Sequence, residues 1–163
     1  MKKTFIAVVL LCVCLSFGSC AAKRYSDTLT CENVTNSLKT KIFANEQYSE
    51  YLPSDISHMF DHDGITDSCV VYSSSSDDIG EFGILRAESA EAAKELLNKV
   101  NAHIDDIREE KGEFLRNYMP EELSKLENAS AKQYGQYVVF ALHDSDTTAK
   151  VFKEAEALLR LKS

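Results

Sequence analysis

Two sets of residues in this chain have the types and spacing that chemistry requires. The first is His58-Met59-Phe60-Asp61-His62-Asp63-Gly64-Ile65-Thr66-Asp67. Histidines at i and i+4 face one way on a helix, so His58 and His62, with Asp61 and Asp63 beside them, are candidate zinc ligands. Two features oppose that reading. The glutamate of the zinc-protease helix is missing, and Asp63-Gly64 breaks a helix just where the second histidine would need it. A calcium loop fits no better: with Gly64 at its sixth position, Asp61 and Asp63 occupy the third and fifth, but the first is Met59 and the twelfth Val70. The segment reads as a solvated turn leading into a strand at Cys69. No metal or other cofactor is assigned to it.

The second set is the cysteines. Lys2 and Lys3 precede an apolar run from Phe5 to Phe17, which closes on Gly18-Ser19-Cys20. A charged start, a short apolar stretch and small residues make an export signal, and the run is too short for a spanning helix. A cysteine directly after the small pair is the arrangement in which a thiol takes a diacylglycerol as a thioether and becomes the new N-terminus. The alternative is ordinary cleavage near Cys20-Ala21-Ala22, which would release a soluble protein. The expected organisation is a signal peptide over 1–19, a lipidated tether over 20–29 and one domain over 30–163. The expected location is the outer face of the cell membrane, with a fatty acyl anchor such as palmitate on Cys20. Cys31 and Cys69 remain in the mature chain. An exported pair can form a disulfide, and two buried free thiols are the other reading.

Loss of the signal lowers Lys plus Arg from 18 to 16 against 26 Asp plus Glu, a net charge near −10. Such a surface is repelled by nucleic acid and by anionic headgroups, so membrane residence is expected from acyl chains. There is no Gly-x-Ser-x-Gly, no Cys-x-x-Cys after the signal and no phosphate-cradling glycine loop. His103 at the edge of a helical stripe and His143 at a strand end read as packing or surface histidines. Adjacent acids such as Asp105-Asp106 and Glu121-Glu122 diverge around a helix axis.

The elements follow from periodicity. Thr30 caps a helix whose Cys31, Val34, Leu38 and Ile42 share a face. A weaker amphipathic segment from Tyr48 to Met59 is interrupted by Pro53, which suits a helix start. Cys69 to Tyr72 and Gly80 to Ala87 are strands joined by the polar connector Ser73 to Asp78. Ala93, Leu96, Leu97, Val100, Ile104 and Ile107 form the stripe of a long helix, with a kink or break expected at Lys111-Gly112. Pro120 opens another helix. Ser130 to Gln133 and Gln136 to His143 are strands around a turn at Tyr134-Gly135, and the second is apolar on both faces. Asp144 caps a closing helix with Val151, Phe152, Ala155, Leu158 and Leu159 on one face. The expected fold is α+β in the order α-ββ-α-ββ-α, with two hairpins forming a four-stranded antiparallel sheet and helices packed on one face.

The run Phe114-Leu115-Arg116-Asn117-Tyr118-Met119-Pro120-Glu121-Glu122, then Lys125-Leu126-Glu127-Asn128-Ala129 and Tyr134-Gly135-Gln136-Tyr137-Val138-Val139-Phe140, resembles domain of unknown function 4358. That family consists largely of small lipoproteins from Firmicutes, clostridia especially. The resemblance runs from about Asp55 and is strongest over residues 114 to 155. It implies a location and an α+β fold, and it brings no activity, cofactor or site residue. The expectation is therefore a membrane-anchored, non-catalytic binding or interaction module of the cell envelope, partner unassigned. The alternative is an envelope or secreted enzyme, metal-dependent through the His58/His62 region.

Overall fold

A computed structural model describes residues 24–61 and 64–161. The elements are α1 (Cys31–Lys41), β1 (Tyr48–Glu50), α2 (Pro53–Phe60), β2 (Ile65–Ser73), β3 (Glu81–Ala87), α3 (Ala90–Tyr118), α4 (Pro120–Asn128), β4 (Ser130–Tyr134), β5 (Tyr137–Leu142) and α5 (Ser145–Leu159). The chain is α+β, built on one antiparallel sheet in the order β1-β2-β3-β5-β4.

Three features of the expected architecture are corrected. The order is α-β-α-ββ-α-α-ββ-α in place of α-ββ-α-ββ-α, because Pro53 and Pro120 each open a helix of their own. The sheet has five strands, because Tyr48–Glu50 pairs with Val71–Ser73 as an edge strand rather than joining a helix. Three residues are too few for alternation to distinguish a strand from a helical turn. The helices also lie on both faces of the sheet. Along β5, Tyr137, Val139 and Ala141 meet α1 and α5 through Val34, Leu38, Val151 and Leu159. Val138, Phe140 and Leu142 meet α2, α3 and α4 through Phe60, Leu96, Val100 and Leu126. Every residue of β5 is buried, so the strand is apolar throughout. Full burial of a phenylalanine such as Phe82 or Phe140 contributes roughly 1.5–3 kcal/mol.

The local signals explain the boundaries. The Thr30 hydroxyl accepts from Asn33 N and caps α1. Ser89 accepts from Ala92 N and caps α3, and Asp144 accepts from Asp146 N and Thr147 N to cap α5. The expected break at Lys111-Gly112 is absent, and α3 runs unbroken to Tyr118. One exposed glycine costs a helix interior only about 1 kcal/mol, less than the packing of Leu115 beyond it supplies, and Leu115 is buried. The interruption comes at Met119-Pro120, where proline starts α4. The β4–β5 turn lies one residue later than expected, at Gly135-Gln136, with Gly135 at φ 62. That angle at the first central position of a two-residue hairpin suits glycine.

The sheet has two distinguishable ends. At the Glu81 end, Ser73, Glu81 and Leu142 terminate or begin their strands. At the Gly135 end lie Ala87, Tyr137 and the β4–β5 turn. Residues 24–29, read from the sequence as tether, dock at the Gly135 end. Tyr25 bridges to Arg160 and packs edge-on against Tyr134, with ring centroids 5.6 Å apart. Ser26 N donates to Leu159 O and Leu161 N to Arg24 O. The Tyr137 hydroxyl donates to Leu29 O at 2.7 Å, and Arg86 Nη1 to Asp27 O at 3.2 Å.

Candidate functional site

Titratable side chains gather at the Glu81 end because three features meet there: the strand termini, the connector from Ser74 to Gly80 and the start of β1. Glu81 opens β3 on the face covered by α2, α3 and α4, opposite Tyr72 in register. It is only 8% exposed, and its Oε1 has no hydrogen-bond partner. Burial raises its pKa to about 7, against the opposing pull of Lys111 and of the Tyr51 hydroxyl. Burial, together with the Glu81 charge, likewise lifts Tyr51 to about 12. The Tyr51 and Tyr72 rings lie 4.5 Å apart, so the carboxyl sits beside an aromatic pair. A carboxyl that changes charge near neutrality in such surroundings can act as a proton donor or as a switchable anion.

On the opposite face, His143 follows β5 and is 3% exposed. Its ring lies against Phe43 at 4.9 Å. The Tyr48 hydroxyl is 3.2 Å from His143 Nε2 and donates to Glu46 Oε2 at 2.6 Å. With the tyrosine proton committed to Glu46, the compatible tautomer carries its proton on Nε2 and donates to the tyrosine oxygen. Burial, with Lys125 nearby, lowers the imidazole pKa to about 4, which makes it a weak base at neutral pH. Gly80 admits the ring, because a Cβ there would stand 2.7 Å from His143 Cε1. His143 is a packing residue.

A charged lock holds the connector between these two groups. Lys125 Nζ reaches Asp78 Oδ1 at 2.6 Å and Glu122 Oε2 at 3.0 Å. The same oxygens accept from Gly80 N at 2.6 Å and Ile79 N at 2.9 Å. Burial disfavours the Lys125 charge, but the hydrogen bonds to Asp78 and Glu122 outweigh it and hold the pKa above the ordinary lysine value. The arrangement fixes the connector on α4.

Helix α3 reaches this end and continues past it. Ala90 O is bonded by Gln133 Nε2 near the turn, and Arg108 bonds Leu126 O and Ala129 O just before β4 begins. Ten further residues carry the helix about 15 Å beyond. Phe114 and Tyr118 lie on that extension, 54% and 72% exposed, with ring centroids 5.1 Å apart. Exposed aromatics side by side are typical of surfaces that meet a partner.

The residues singled out from sequence are placed as follows. Cys20, His62 and Asp63 lie outside the described residues. His58 is exposed on α2, which ends at Phe60, and Asp61 turns left-handed at φ 43. Asp61 Oδ2 pairs with Lys99 Nζ at 3.0 Å. Among the described residues, no three His, Cys, Asp or Glu side chains are grouped to hold a metal. Cys31 and Cys69 are buried and free. Burial pushes both thiols up, Cys69 to about 11. His103 packs edge-on against Phe60 at 5.2 Å. Glu81 was missed, although a glutamate opening the apolar run Phe82-Gly83-Ile84-Leu85 is itself a signal of a buried acid. Among the described residues no helix is long and apolar enough to cross a membrane.

The family described as Domain of unknown function (DUF4358) matches residues 55–143, more than half of the chain, and the chain belongs to that family. No curated protein and no solved structure matches.

Proposed function

We propose that this member of the DUF4358 family is an extracytoplasmic lipoprotein, held to the cell membrane through an acylated Cys20, and that its domain is a non-catalytic binding module. The binding surface is the Glu81 end: the buried carboxyl, the Tyr51–Tyr72 pair and the projecting Phe114 and Tyr118. The observation that carries this reading is directional. Residues 24–29 run along the Gly135 end, so an anchor at Cys20 would turn the Glu81 end away from the bilayer. A non-catalytic role is favoured because His143, the histidine built into this end, is buried and a weak base. The charged lock on the connector holds a surface rather than an open lid.

The test is metabolic labelling with radioactive palmitate. The expected result is label on the wild-type protein in the membrane fraction and none on Cys20→Ser. A wild-type protein without label, starting at Lys23, would overturn the anchored reading.

A further inference from the structure

A groove of about 550 Å³ runs between β4 and α5 from Ala149 to Arg160, and its Arg160 end lies beside residues 24–25. Its rim carries Lys132, Lys153 and Arg160, with Glu156 as the single carboxylate, and Tyr134 and Phe152 contribute aromatic surface. Lys132 Nζ stands over the Phe152 ring at 4.5 Å. The Tyr134 hydroxyl donates to Phe152 O at 3.2 Å, which ties the two aromatics together. This is a cationic groove with an apolar floor on a chain whose overall charge is strongly negative.

Its position follows from chain length. Arg160 bridges directly to Tyr25, and Arg24 O accepts from Leu161 N. Cys20 and Arg24 are four residues apart, and a fully extended chain spans at most about 3.6 Å per residue. An acylated Cys20 therefore holds Arg24 within about 14 Å of the headgroup layer. Arg160 is paired to the next residue, so the Arg160 end of the groove lies on the same side of the domain as the anchor. At physiological salt the attraction of a few cations to an anionic surface falls off over about 8 Å, so it acts where the four-residue tether is less than fully extended and the cations come that close.

We infer that the groove formed by Lys132, Tyr134, Phe152, Lys153 and Arg160 is a docking surface for anionic phospholipid headgroups, seating the domain on the membrane that carries its anchor. The cations meet headgroup phosphates, and the buried Tyr134 and Phe152 rings hold the groove in shape behind them. The acidic remainder is repelled by the same surface, so attraction and repulsion act together to fix one orientation. The inference rests on the anchored reading and adds a specific contact to it.

The mature chain from Cys20 can be coupled through that cysteine to a maleimide lipid, with Cys31 and Cys69 shielded by burial. The anchor is then supplied chemically, so this experiment can fail while palmitate labelling succeeds, and the reverse. Vesicles of phosphatidylcholine alone are compared with an equal mixture of phosphatidylcholine and phosphatidylglycerol, and lysine reactivity is read by trace acetylation and mass spectrometry. Lys132 and Lys153 should react several-fold more slowly on the anionic vesicles. The exposed Lys111 near the Glu81 end should react equally on both. The protection should disappear in molar salt and be lost in Arg160→Glu. Equal reactivity of Lys132 and Lys153 on the two vesicles, or protection of Lys111 instead, would overturn the inference.

Discussion

Replacing Glu81 by glutamine should give the domain a pH-dependent stability that the native pair Glu81 and His143 suppresses. Burial raises Glu81 from 4.5 to about 7, despite Lys111 and Tyr51. The folded protein therefore keeps a proton that the unfolded chain has lost. Its stabilising contribution is fully present below pH 4.5 and is lost as the pH rises to about 7. Burial, aided by Lys125 and opposed by Asp78 and Asp144, lowers His143 from 6.5 to about 4. That contribution has the opposite sense: it is present above pH 6.5 and lost as the pH falls to about 4. Each group changes the unfolding free energy by about 1.4 kcal/mol per pH unit, so from pH 4.5 to 6.5 the two slopes cancel. In Glu81→Gln only the histidine slope remains, and stability should climb by about 3 kcal/mol across that interval. His143→Gln should show the mirror image, stability falling by a similar amount as the pH rises. Urea denaturation followed by circular dichroism at several pH values measures both. Each variant is read as its difference from wild type, so the carboxylates common to both cancel. A difference that does not vary with pH would refute the reasoning for the residue concerned.

Three further substitutions test the framework. Gly83→Ala would place a Cβ 2.4 Å from Phe140 Cε1 and 2.8 Å from Val70 Cγ2, so it should destabilise by about 1–3 kcal/mol; an unchanged urea midpoint would contradict the register of β2, β3 and β5. Gly112→Ala meets nothing within 4 Å on a continuous helix, so it should stabilise by about 0.5–1 kcal/mol; loss of stability would mean that α3 breaks there. Asp144→Ala removes the acceptor of two backbone N–H groups, each at 3.0 Å, and should cost about 1 kcal/mol in the same assay.

The legible parts of this fold were those encoded locally. Thr30, Pro53, Pro120 and Asp144 mark helix starts because capping and proline geometry depend on a few neighbouring residues. The layer arrangement was harder to read. Tyr137 to Leu142 carried the signature of a strand covered on both faces, yet the order of elements alone suggested helices on one. Deciding between them requires knowing that α1 and α5 meet across the sheet from α3, a long-range relation with no local trace. The strand at Tyr48 is held by three partners in β2 and has no pattern of its own. The candidate site divides in the same way. His143 was visible as a strand-end histidine, but its burial comes from Phe43, Tyr48 and Gly80, brought together by the fold. Glu81 acquires its character from the environment that α2, α3 and the Tyr51–Tyr72 pair create.

The central claim is the proposed anchoring of the domain, with its Gly135 end toward the membrane. Glu88, just beyond β3 at the Gly135 end, and Asp77, in the connector at the Glu81 end, are both exposed and stand on opposite sides of a strand about 23 Å long. A fluorophore placed at Glu88→Cys or Asp77→Cys in the lipid-anchored protein can be read by energy transfer to an acceptor in the headgroup layer. The native thiols are buried and held protonated, so labelling falls on the introduced site. Transfer should be several-fold more efficient from position 88 than from position 77; equal or reversed efficiencies would contradict the account.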